Sequence, residues 1–94
     1  MLHFVYILKC ADGSLYVGST SDLEARVQRH NDGRGCHYTT TRRPVTIAYS
    51  EEHPSAAAGV RREKQIKRWT TAKKQALVNG RLTELKTLSR RRNP

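Results

Sequence analysis

The chain has 94 residues, 36% of them hydrophobic, and a formal net charge of +10. That length fits one compact domain with a modest core, and the patterned clustering of the apolar residues argues against disorder. No apolar run approaches the roughly 18 residues needed to cross a bilayer, and the N-terminus lacks the basic head and long apolar stretch of a secretory signal, so a cytoplasmic protein without a membrane span is expected.

The first predicted element is a strand over His3 to Cys10, rich in aromatic and β-branched residues. Phe4, Tyr6 and Leu8 share one face and Val5 and Ile7 the other. Both faces are apolar, which places the strand centrally, covered on two sides. Asp12-Gly13 is a strong turn signal, and Leu15 to Ser19 completes a hairpin that carries Tyr6 and Tyr16. The period then changes. Ser21-Asp22-Leu23-Glu24 has the spacing of a capping box, and Leu23 and Val27 begin a helix of about three turns that Asp32-Gly33 ends. Arg26 and His30, four apart, lie on one stripe of it.

Gly33 to Pro44 reads as a polar, basic loop with Tyr38, Arg42 and Arg43, and Val45 to Tyr49 alternates as a third strand. Pro54 opens a helix towards Trp69, with Ala56, Val60, Glu63 and Lys67 on one stripe and Glu63 at the edge of the packing face. Thr70 or Thr71 can cap a further helix that ends at Asn79-Gly80. Leu82, Leu85 and Leu88 mark a last short helix. The expected organisation is one domain over 1–88 and a basic flexible tail over 89–94. The fold class is α+β: a small three-stranded antiparallel sheet flanked by helices.

The charge is segregated. Residues 1–60 hold six basic and six acidic residues, whereas residues 61–94 hold twelve basic residues and only Glu63 and Glu84. An excess confined to one third of the chain suits a polyanion such as nucleic acid, since phosphate neutralisation releases condensed counterions. The bland alternative is a solvated helical surface. Cys10 and Cys36 have no C-x-x-C spacing, so both are expected to be reduced and structural.

The ordered set Val5-Tyr6-Ile7, Tyr16-Val17-Gly18, Leu23 to Asn31 with Arg26 and His30, and Arg62 to Lys67 with Glu63 resembles the GIY-YIG nuclease family, in particular its short stand-alone bacterial members. The resemblance covers about residues 3–80. Two departures stand out: Val5 replaces the first glycine of the family name, and Ser19 replaces a lysine found just after the second motif in some members. The resemblance implies a metal-dependent endonuclease or nickase, with DNA favoured over RNA, probing structure or damage as in DNA repair. It implies Tyr6, Tyr16, Arg26, His30 and Glu63 as the catalytic set, with Tyr6 the general base or the relay that orients water. So small a domain leaves little surface for reading sequence, so a protein partner supplying specificity is also expected. A non-catalytic nucleic-acid-binding module and a protein-interaction subunit are the rival classes.

The chemistry stands beside the resemblance. Glu63 is a hard oxygen donor for one Mg2+ (or Mn2+), an ion often held by one or two carboxylates plus phosphate and water. Arg26 can grip a phosphate oxygen through its planar fork. An unperturbed tyrosine, with a pKa of about 10, is ionised in about one molecule per thousand at pH 7, and burial opposes ionisation further. Arg26 and a hydrogen bond from His30 would favour the phenolate. Each residue also has a structural reading: the tyrosines as hairpin packing, Arg26 and His30 as helix surface, and Glu63 as a surface pair with Lys67. Tyr38, Arg42 and Arg43 suit base stacking and phosphate contact, with a core-anchoring Tyr38 as the alternative. Lys67, Lys73, Lys74 and Asn79 are further nucleic-acid candidates, Asn79 equally a helix end, and Trp69 is assigned to the core.

Overall fold

A computed structural model describes residues 2–80. The last predicted helix and the basic tail lie outside the described residues. The order is β1 (His3–Lys9), β2 (Leu15–Thr20), α1 (Leu23–Asn31), α2 (His37–Thr40), β3 (Thr46–His53), α3 (Ala56–Lys67) and α4 (Thr71–Val78). The three strands form an antiparallel sheet in the order β2-β1-β3. The strand read as central is central, because its two apolar faces each need a cover. Val5 and Ile7 pack with Val17, Ile66 and Leu77 on the α3/α4 side. Tyr6 and Leu8 pack with Cys10 and Val45, flanked by Tyr16, Leu23 and Val27, on the α1 side. Among the described residues no helix is long and apolar enough to cross a membrane.

The hairpin closes as its turn residues dictate. Gly13 takes φ +86°, and Asp12 Oδ1 accepts from the Ser14 N–H at 3.0 Å and from its hydroxyl at 2.6 Å. Register pairs Leu8 with Tyr16 and Tyr6 with Gly18. The two phenols are therefore diagonal neighbours on one face.

Four sequence expectations shift. The cap of α1 is Asp22, not Ser21: its backbone is extended and its carboxylate accepts from the Ala25 N–H, putting a negative charge where the helix dipole favours it. Part of the basic loop is a helical turn, α2, that buries Thr39 completely. The third strand starts at Thr46 and runs on to His53, with a register shift opposite Ile7/Leu8. The α3 helix, capped by Ser55, is turned relative to the expected stripe. Gly59 and Ile66 are buried whereas Val60 is exposed, so the packing face reads Gly59, Glu63, Ile66 and Glu63 stands within it. Gly59 sets the approach, since a Cβ there would stand 2.5 Å from the His3 ring.

Candidate active site

The side chains that the sequence singled out converge at the edge strand β2 and the helices on either side of it. Tyr6, on β1, is 1% exposed, and His30, on the last turn of α1, is 2% exposed. The Tyr6 hydroxyl lies 3.3 Å from His30 Nε2, and His30 Nδ1 lies 2.7 Å from Thr39 Oγ1. Thr39 Oγ1 also lies 3.2 Å from the Cys36 carbonyl oxygen and 3.6 Å from Cys36 Sγ. The two ring nitrogens of His30 thus bridge the Tyr6 and Thr39 hydroxyls. Burial, reinforced by the charges of Arg26 and Arg29, lowers the His30 pKa and keeps the ring neutral at pH 7.

Burial raises the Tyr6 pKa, and although the hydrogen bond and charge of Arg26 pull it down, the net displacement is upward. Tyr16 is also raised, by burial first and then by its bond to Cys36. Both tyrosines carry their protons at neutral pH.

Space for these rings is made by glycine. A Cβ on Gly18 would overlap the Tyr6 hydroxyl and stand 2.5 Å from Cζ, and one on Gly35 would overlap the His30 ring. At Gly18 only a missing side chain lets the phenol lie across β2. Val5, in the position of the other motif glycine, is fully buried in the α3/α4 core.

Ser19 joins the two halves of the site. Arg26 Nη1 lies 3.5 Å from the Ser19 carbonyl oxygen, and the Ser19 hydroxyl donates to Glu63 Oε1 at 2.5 Å. Lys67 donates to the other carboxylate oxygen at 2.8 Å. Burial pushes the Glu63 pKa up, but the bonds from Lys67 and Ser19 outweigh it, and the carboxyl settles below the ordinary glutamate value. The Glu63 charge is felt at Tyr6 and Tyr16. Sequence reasoning missed the link from Ser19 to Glu63, because 44 residues separate them. It also missed Thr39, and it read Cys36 as purely structural. Cys36 lines the cleft beside Tyr16, and although burial opposes it, bonds from Thr39 and Tyr16 leave its thiol pKa below the usual value.

No cluster of three or more His, Cys, Asp and Glu that could hold a metal occurs among the described residues. The donor set fits a loosely held hard cation with one protein carboxylate: Glu63 is ionised, its side chain is 18% exposed, and the Lys67 side chain that pairs with it is 47% exposed and free to swing.

The outer candidates divide. Tyr38 stacks on Tyr16, centroids 5.9 Å apart, and carries the Arg42 guanidinium at 4.0 Å. Arg42 also pairs with Asp12 at 3.0 Å. Arg43 braces the loop through the Thr40 and Asn31 carbonyls. Lys67 and Lys74 line a cleft with Tyr16 and Tyr38. Lys73 is 7% exposed, its ammonium 4.3 Å over Trp69. Trp69, just past the end of α3, packs against the core, as the sequence assigned it. Asn79 caps α4 and accepts from Gln75 at 3.2 Å.

The hairpin with its paired tyrosines, α1 with Arg26 and His30, and α3 with Glu63 build a small α+β domain around a three-stranded antiparallel sheet. The chain belongs to the GIY-YIG family, matching its catalytic domain over residues 2–76, a family whose nucleases are generally dependent on divalent metal. Within it, the chain is similar to the UPF0213 proteins, short stand-alone bacterial proteins. A UPF0213 protein of Staphylococcus aureus is 48% identical over 79 residues, covering 84% of this chain and 96% of the relative. The solution NMR structure of the UPF0213 protein BH0048 from Bacillus halodurans is 39% identical, covers 84% of each chain and superposes with a TM-score of 0.55. That of EF2693 from E. faecalis is 33% identical, covers 87% of this chain and 88% of its own, and gives a TM-score of 0.57.

Proposed function

We propose that the protein is a divalent-metal-dependent DNA endonuclease that nicks phosphodiester bonds at irregular or damaged structures. The observation that carries this reading is the Tyr6–His30 hydrogen bond, with a neutral imidazole behind the phenol that is placed to accept its proton. A phenol whose pKa is raised cannot act as a standing phenolate. It can act as a relay: Tyr6 Oη takes a proton from the attacking water while its own proton passes to His30 Nε2, so that no free phenolate accumulates. The Thr39 oxygen that accepts from Nδ1 steadies the imidazolium that forms.

Arg26 binds a non-bridging phosphate oxygen and strengthens its hold as negative charge develops. Arg26 acts on Tyr6 through its charge, and Tyr6 itself is 1% exposed. Glu63, ionised and steadied by Ser19, is the residue that would hold Mg2+ or Mn2+. When bound, the ion supplies Lewis-acid polarisation of the phosphate. Tyr16 packs edge-on against His30, ring centroids 5.4 Å apart, and fixes the imidazole.

The test is nicking of supercoiled plasmid and of branched DNA by purified protein with and without divalent metal, beside Tyr6→Phe and Glu63→Ala. Metal-dependent nicking lost in both variants supports the reading. Equal trace activity in all three marks a contaminant, and DNA binding without cutting under varied metals makes the protein a binding module.

A further inference from the structure

One row of the sheet ties both edge strands to α3. Val5, on the central strand, pairs with Ser19 of β2 on one side and with Glu51 of β3 on the other. Over that row α3 presents two adjacent residues. Glu63 takes the Ser19 hydroxyl, and Arg62 takes the Glu51 carboxylate, with Nε 3.0 Å from Oε2 and Nη2 3.4 Å from Oε1. The Glu51 side chain is 18% exposed and is met from its own strand as well. The Tyr49 hydroxyl donates to Oε1 at 2.6 Å, and His53 Nε2 stands 2.6 Å from Oε2. Burial pushes the Glu51 pKa up, but the bonds from Tyr49, Arg62 and His53 outweigh it, so the carboxylate is charged at neutral pH. Arg62 is held in turn: its Nη1 donates to Gln65 Oε1 at 2.9 Å, and its guanidinium lies 5.1 Å from the Trp69 centroid. The proposed chemistry makes no use of this network.

Successive residues of a helix point about 100° apart, so Arg62 and Glu63 reach down on opposite sides of the α3 axis. The apolar contact of buried Ile66 is non-directional and leaves the helix some freedom to roll. Two directional contacts, one to each edge strand, remove that freedom. The sensitivity is high. Helix side chains end about 6 Å from the axis, so a roll of about 10° carries the Glu63 carboxylate about 1 Å, twice the roughly 0.5 Å that a preorganised site tolerates. We propose that Glu51 is a positioning residue for the Glu63 carboxylate: through Arg62 it fixes the roll of α3 and keeps Glu63 on Ser19, in the attitude in which it takes a divalent cation. Glu51 acts from the far edge strand and not as a ligand. This rests on the nuclease reading and deepens it, since the affinity of the site for its ion is then set from both edges of the sheet.

Residual dipolar couplings of the α3 amides, measured by NMR without metal or DNA, test the positioning separately from the cutting. They oscillate with the helical period, and the phase of that wave gives the roll of the helix against the sheet. In Glu51→Gln the phase should move by about 10° or more. The Mn2+ concentration for half saturation, followed by electron paramagnetic resonance of the free ion, should rise about tenfold. Nicking at saturating metal should change by less than about twofold. Arg62→Lys keeps the charge and loses the fork, so both readings should shift the same way by less; it carries the test if Glu51→Gln does not fold. Glu51→Gln combined with Arg62→Gln should cost no more Mn2+ affinity than either alone, since the two act as a unit. A lowered melting temperature with the phase and the Mn2+ affinity at wild-type values makes the network an ion pair that only holds the fold, and overturns the inference. A protein that cuts DNA with a metal requirement indifferent to Glu51 loses the positioning and keeps the nuclease reading. One whose α3 roll and Mn2+ affinity follow Glu51 but which cuts no DNA keeps the positioning and loses the nuclease reading.

Discussion

The Tyr6 hydroxyl lies 3.3 Å from His30 Nε2, a hydrogen bond that links the first strand to the end of the first helix. In the proposed mechanism this bond makes the phenol a proton conduit. Tyr6→Phe keeps the ring and removes the conduit, so nicking should fall by about 10^2 to 10^4 with binding unchanged. His30→Gln should lose a comparable factor. The single-turnover rate on plasmid is the measurement, and a His30→Gln protein as fast as wild type rules out the relay.

The same imidazole sets a pH dependence of stability. Its pKa in the folded protein is lowered, chiefly by burial and then by Arg26 and Arg29. Below the unfolded value of about 6.5 the unfolded chain binds the extra proton first. Stability therefore falls as pH drops from about 6.5 to the lower folded value. Urea titrations across this range should show a slope that His30→Gln flattens.

Gly18 and Gly35 are required by the rings that lie over them. Adding a methyl at either place drives it into Tyr6 or His30. Gly18→Ala should cost about 1–3 kcal/mol in unfolding free energy, by overpacking. Activity should fall further than stability explains, because the displaced ring is the reacting one. Denaturant midpoints measured beside nicking rates separate the two losses.

Ser19 steadies the Glu63 carboxylate, the proposed metal ligand. Ser19→Ala removes the bond to Glu63 Oε1 and should leave the melting temperature nearly unchanged, since the pair is only partly buried. The metal concentration for half-maximal nicking should rise about tenfold. A metal titration at fixed DNA reads this directly.

Neighbouring lysines should behave differently. Lys74 lines the cleft along β2 with Tyr16 and Tyr38, so Lys74→Gln should weaken DNA binding and reduce the slope of log affinity against log salt by about one. Lys73 is buried over Trp69, so Lys73→Gln should lower the melting temperature and leave the salt slope alone. Salt titrations and thermal melts of both variants distinguish the roles.

The sequence by itself determined what local chemistry controls. Two apolar faces on residues 3–9 made a central strand, Asp12-Gly13 made the hairpin, and Gly80, at φ +69°, ended α4 as a C-terminal glycine does. The motif residues Tyr6, Tyr16, Arg26, His30 and Glu63 could be chosen from order and spacing. Only the tertiary structure decided their chemical states. Whether Tyr6 donates or accepts depends on the proton of His30, which depends on Thr39, a residue in a helical turn that no periodicity announces. Likewise Glu63 is held by Ser19 from 44 residues away, and a rotation of α3 set by Gly59 brings it into the packing face. Periodicity records which face a residue occupies. Proton position and carboxylate charge follow from burial and from hydrogen-bond partners distant in the chain, and those exist only once the sheet and helices have closed on one another.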